Sequence, residues 1–220
     1  MSRAQPMDSE VPLPAEQFES LEQQHAADLL GIWIFLATEV MFFGGLLTGY
    51  AVYRRADPAA FRSASHHLSV LLGTIDTGVL LCSSLSMVMA VRALRLGNRG
   101  ASMLLLLGTA ALGMTFLGLH GFEYYSEWRE HLVPGRNFHF EGPHAAHAQM
   151  FFWIYFALTG LHSLHVLIGV VILLVLAALV ACGRLNRNQY MPLEISGLYW
   201  HFVDIVWVFL FPLLYLAGGR

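Results

Sequence analysis

Apolar residues fall in five long runs separated by short polar stretches, at about residues 29–53, 67–91, 102–122, 149–182 and 192–217. Each run is near or above the ~20 residues that an α-helix needs to cross the hydrocarbon of a bilayer. Within lipid every backbone N–H and C=O must be paired inside its own segment, which selects helices. A membrane barrel would instead show strands of about ten residues with alternating polarity, and the runs lack that alternation. The pattern predicts an all-α polytopic membrane bundle with five transmembrane helices over residues 28–217. An odd number of crossings places the two termini on opposite sides.

The polar stretches are of two kinds. Residues 1–27 form a tail with Asp8, Glu10, Glu16, Glu19 and Glu22 against a single Arg3, and with Pro6, Pro12 and Pro14. It has neither a basic start nor an apolar centre, so it does not read as a secretory signal. A solvated arm with a short helix near Glu16–His25 is expected. The other stretches are linkers. The first, 54–66, carries Asp57-Pro58; the second, 92–100, carries Gly97-Asn98; the fourth, 183–190, carries Arg184 and Arg187. The third, 123–148, is the longest and holds Glu123, Glu127, Glu130 and Glu141 together with His131, His139, His144 and His147. A linker of that length is often functional or docks a partner.

Composition narrows the function classes. Hydrophobic residues make up 56% of the 220-residue chain and charged residues only 12%, against about 25% charged in a soluble domain. The deficit argues against a soluble globular enzyme, and a disordered chain is excluded. A net charge of −3 and a pI near 6.4 argue against nucleic acid as a partner. All 12 basic residues are arginine. They divide six against six across the membrane, so the positive-inside rule gives no orientation. Cys82 and Cys182 lie in apolar runs, outside any Cys-x-x-Cys motif, and read as small hydrophobes.

Charge inside a span is costly and marks a functional candidate. Glu39 is the eleventh residue of its run, among Phe35, Met41, Phe42 and Phe43. It reads either as a proton-linked carboxyl or as an acid bonded to a neighbouring helix. Asp76 and Asp204 raise the same question. His162 and His165 share one helical face at i, i+3, and His201 and Asp204 repeat that spacing. Metal or haem ligation is one use of such histidines; a hydrogen-bonded core histidine is the other. A carboxylate di-metal helix would need a Glu with each His, and the fourth span has none. His144-x-x-His147 stands in the polar loop without further ligands. Nucleophile elbows, phosphate loops and dinucleotide fingerprints are missing. Gly45-x-x-x-Gly49 would allow close helix contact. The aromatic series Tyr199-Trp200-His201-Phe202, Trp207, Phe209 exceeds what an interfacial girdle needs and fits helix packing or ordered lipid.

Four segments together resemble subunit III of the haem-copper terminal oxidases: Trp33–Phe43 with its intramembrane acid, Gly118–Tyr124, Thr159–Gly169, and Glu194 followed by Tyr199–Leu210. The resemblance covers about residues 28–217 and is to the five-helix form, without the two N-terminal helices of longer members. It implies an accessory, non-catalytic subunit with no metal or cofactor of its own. Haems and copper are then expected in partner subunits I and II, with subunit I the main contact. Cytochrome c or another respiratory complex is a further expected partner. It also implies support of proton uptake and of stability during turnover. Glu39, Asp76, His162, His165, Glu194, His201 and Asp204 would form an intramembrane polar network. Arg184, Arg187 and Trp200 would meet a bound phospholipid. The implied location is a bacterial cytoplasmic (inner) membrane, with the N-terminus in the cytoplasm and the C-terminus outside. A cytochrome c oxidase is the main reading, with a quinol oxidase or nitric oxide reductase complex as the alternative. Two readings from other classes are a haem-binding cytochrome using His120, His162, His165 and His201, and a proton-coupled transporter using Glu39 and Asp76. The latter lacks the inverted repeats and broken helices usual for its class.

Overall fold

The computed structural model describes residues 16–135, 138–140, 145–187 and 189–216, and no side-chain detail for residue 146. Six α-helices follow in order: α1 Leu21–Ala56, α2 Pro58–Ser65, α3 Val70–Arg95, α4 Arg99–Arg129, α5 Ala145–Ala181 and α6 Met191–Phe211. A π-helical segment, Pro212–Leu216, ends the described chain. Five of these helices are long and apolar enough to cross a membrane, α6 doing so together with the π segment. The fold is the expected all-α polytopic bundle.

Helix boundaries depart from the hydropathy runs for local reasons. Helix α1 starts at Leu21 because the Ser20 hydroxyl accepts from the Gln23 N–H at 3.2 Å, capping the helix eight residues before the apolar run. The expected short helix at Glu16–His25 is therefore the first turns of α1 itself. The 54–66 linker holds a helix of its own. Asp57 accepts from the Ala60 N–H at 3.1 Å and Pro58 occupies the first turn, where a missing N–H costs nothing. Helix α4 continues through Arg129, past the expected end at 122, so Glu123 and Glu127 are helical and buried rather than in a loop. The α3–α4 turn uses Gly97 at φ +83° followed by Asn98, whose side chain caps α4 through the Ala101 N–H. His144 and Arg136 lie outside the described residues.

The bundle is layered around α6. Helix α4 packs between α3 and α5, and α6 seats against α3 and α5. Helix α1 lies along α5 and α6 and is the least covered span. Trp33, Val40 and Met41 stand more than half exposed on it, as a helix facing lipid or another chain should. At the centre sits Trp200, 1% exposed. Its indole N–H donates to Ser83 Oγ on α3 at 3.1 Å. Its ring fills slots opened by Gly113 on α4 and Gly169 on α5, where an added Cβ would come within 2.7 Å of the ring. Small residues permit such close approach when lipid offers no hydrophobic drive between helices. The resemblance puts Trp200 at a bound phospholipid; here its ring lies inside the bundle between α3, α4 and α5.

Gly169→Ala and Gly113→Ala should each destabilise the detergent-solubilised chain by about 1–3 kcal/mol through overpacking. Gly118→Ala and Gly121→Ala, with open space around them, should leave it unchanged or slightly more stable. Denaturant titration followed by helical circular dichroism separates the pairs; equal midpoints for all four would show that the slots around Trp200 are not tight.

Candidate functional site

The polar residues singled out in the spans form three separate groups. In the first, Glu39 on α1 meets His165 on α5, with Oε2 to Nε2 at 3.1 Å. The other ring nitrogen, Nδ1, faces the Leu161 carbonyl at 2.8 Å. A carbonyl only accepts, so Nδ1 carries a hydrogen. Nε2 then either donates to a carboxylate or accepts from a carboxyl. One proton shifted along this bond converts an ion pair into a neutral pair. The side chains are 18% and 14% exposed, so the pair reaches the uncovered flank of α1. Phe43 packs edge-on to His165 at 5.3 Å, and the Tyr199 hydroxyl donates to the His165 carbonyl at 3.0 Å.

The second group joins α3 and α6. His201 Nδ1 and Ser84 Oγ are 2.7 Å apart. Asp204, one turn further along α6, is buried near Ser84, yet neither of its oxygens has hydrogen-bond geometry to a partner. His201 also lines an open groove of about 340 Å³ together with Arg92, Arg95 and Glu194. There Glu194 is ion-paired with Arg95, whose guanidinium lies 4.7 Å from the centre of the Tyr190 ring. Glu194 is thus a residue of the bundle's end, about ten Å from His201 by helical rise.

The third group sits towards the opposite end. Asp76 and His162 are fully buried, and Glu123, Glu127 and His120 nearly so. Phe116 and Trp207 pack against both His120 and His162, at ring distances of 4.8–5.7 Å counting the Phe116–Trp207 contact. The Trp207 N–H donates to Thr77 Oγ1 at 3.2 Å. The Tyr215 hydroxyl donates to Glu123 at 2.6 Å. Sequence reasoning placed Glu123 and Glu127 in a loop and missed this group. The signal was present, because His120, Glu123 and Glu127 continue the helical i, i+3, i+7 spacing of the third span.

The structure therefore brings Glu39 to His165 and His201 near Asp204, while Glu194, Asp76 and His162 each belong elsewhere. Among the described residues, no set of three or more His, Cys, Asp or Glu side chains converges as a metal site. His120, His162, His165 and His201 are divided among the three groups, with aromatic rings packed on His120 and His162. Arg184 and Arg187 are exposed in the turn after α5, at the same end as Arg95 and Arg99.

Comparison with known proteins identifies the family. The cytochrome c oxidase subunit III family matches residues 23–219. Cytochrome c oxidase subunit 3 of Synechocystis is 34% identical over 190 residues, 86% of this chain and 75% of the relative. A probable quinol oxidase subunit 3 of Staphylococcus saprophyticus is 30% identical over 200 residues, 90% of this chain and 93% of the relative. A heme-copper oxidase subunit I+III of Aeropyrum pernix is 30% identical over 194 residues, 84% of this chain and 22% of that longer relative. The chain belongs to the cytochrome c oxidase subunit III family and is an accessory subunit of a haem-copper oxidase.

Glu39→Gln should leave assembly intact, because an amide can both donate to and accept from the imidazole. Glu39→Arg should not, because it places an unpaired cation against the imidazole in mid-membrane. Co-purification yield with the oxidase measures both; wild-type yield of Glu39→Arg would disprove burial of this pair against protein.

Proposed function

We propose that this chain packs against subunit I of a cytochrome c oxidase in a bacterial cytoplasmic membrane, where it supports proton uptake and prolongs activity during turnover. The observation that carries the reading is the flank of α1. The Glu39–His165 pair there is largely covered but keeps 18% and 14% of its side chains exposed at mid-span, beside exposed Trp33, Val40 and Met41. A polar pair at that depth needs a protein neighbour or lined water rather than bare lipid. The Aeropyrum relative whose name joins subunits I and III supports subunit I as that neighbour. The N-terminus then lies in the cytoplasm and the C-terminus outside. Glu39, His165, His201 and Asp204 hold protons and hydrogen bonds within the span, while haems and copper belong to the partner subunits. Arg184 and Arg187, exposed at the headgroup level, hold the phosphate of a phospholipid by charge-assisted hydrogen bonds.

The second reading is a quinol oxidase, favoured by the near full-length match to the Staphylococcus relative. The partner distinguishes them. Purification in mild detergent should bring down subunit I together with a subunit II. Copper ligands in that subunit II indicate cytochrome c as donor, and their absence indicates quinol.

Deleting the chain should leave the initial rate of oxygen reduction measurable and shorten the active lifetime several-fold. Oxygen consumption traced to inactivation measures both. Loss of haem from the remaining complex would contradict an accessory role.

A further inference from the structure

Close to the end of the bundle where α4 finishes and α5 begins, three acids lie together in the interior. Asp76, Glu123 and Glu127 are 0%, 3% and 4% exposed. Asp76 is within electrostatic range of Glu123, and Glu127 of both Glu123 and Glu130. Among the described residues no arginine forms an ion pair with any of the three, and the chain has no lysine.

The hydroxyl and indole donors around them are already committed. Tyr215 donates to Glu123 Oε2 at 2.6 Å, so the proton in the 3.3 Å contact between Tyr155 and Tyr215 belongs to Tyr155. The Tyr155 hydroxyl also lies near Glu127, but one proton serves one acceptor well. Thr159 donates to the Tyr155 carbonyl, so Tyr124 is the donor in its 2.6 Å contact with Thr159. Thr77 donates to the Gly73 carbonyl, and the Trp207 N–H goes to Thr77. The uncommitted donors are the ring nitrogens of His120 and His162, and neither makes a hydrogen bond; His120 Nδ1 stands 3.4 Å from Glu123. Both oxygens of Asp76, both of Glu127 and Oε1 of Glu123 are left buried without a partner.

Buried polar atoms in proteins are paired with protein or with ordered water, and an internal water makes about three such bonds. Glu127 lies two residues before the end of α4, and Glu130 just beyond is exposed. Asp76 is six residues into α3, about 9 Å by helical rise. A short line of acids thus runs inward from an aqueous edge. We propose that Asp76, Glu123 and Glu127 form an internal water-and-proton site that exchanges with the aqueous face beside Glu130. Water is the donor that the carboxyl oxygens lack. A proton arriving from bulk water ends on a carboxyl oxygen and leaves by the same route. The site is separate from the Glu39–His165 pair and is independent of which subunit covers α1.

Infrared difference spectroscopy on the intact oxidase complex tests this, comparing wild type with Asp76→Asn, Glu123→Gln and Glu127→Gln in H₂O and D₂O. The wild-type-minus-variant spectra should contain a protonated-carboxyl C=O band that moves to lower frequency within minutes of exchange into D₂O. If none of the three variants removes such a band, the acids are all ionised and the proposal is overturned. A band that stays unshifted for hours marks a dry, sealed cluster and overturns it equally. Should an acid variant fail to assemble, Tyr215→Phe keeps all three acids and removes only the donor to Glu123. It should raise the frequency of the band, and an unchanged spectrum would count against the site.

Discussion

The bundle depends on how closely its helices can approach Trp200. In lipid the hydrophobic effect gives helices no reason to associate, so packing and hydrogen bonds must do it. A large ring buried against Ser83, Gly113 and Gly169 supplies both. It joins α3, α4, α5 and α6 at a single level. The His201–Ser84 pair at the same level, and the Phe116–His120–His162–Trp207 stack two turns further along α6, are then held at fixed depth. Helix α1, outside this arrangement, keeps one face uncovered.

The buried acids differ in how they are satisfied, and that difference separates their chemistry. Glu39 has a basic partner that can take or return one proton. Glu194 has Arg95 at an end of the bundle, where water screens the pair and lowers its worth. The oxygens of Asp76 and Glu127 have neither a cation nor a hydrogen bond of good geometry among the described residues. An isolated carboxylate in an apolar interior is far more costly than a paired one, so the interior of this chain handles acid protons in more than one way. This separates the polar pair on the flank of α1 from the acids enclosed within the bundle.

Much of the architecture was legible from hydropathy alone. Five runs of sufficient length predicted the five spans, because backbone pairing in lipid leaves helix as the only choice for such runs. Motif residues from Trp33 to Leu210 were enough to point to the oxidase family. Smaller features had signals that hydropathy overrides. Asp57-Pro58 announced α2, and Ser20 announced the start of α1, but both stand in polar stretches that a membrane reading treats as linkers. Glu123 and Glu127 looked like the beginning of a loop because charge usually ends a span. Their burial follows from Tyr155 and Tyr215, which come from distant parts of the chain.

The sequence by itself determined the solvent this protein lives in, the number of crossings and the family, since these rest on local composition and contiguous motifs. It also marked Glu39, Asp204 and the histidines as residues in need of partners. Which partners they have was decided only by the tertiary structure. Pairs such as Glu39–His165 and Ser84–His201 lie 126 and 117 residues apart, and no local pattern encodes such distances. The same holds for Trp200. Its neighbours in sequence read as an interfacial aromatic series, and only the glycines of two other helices show that the ring is enclosed.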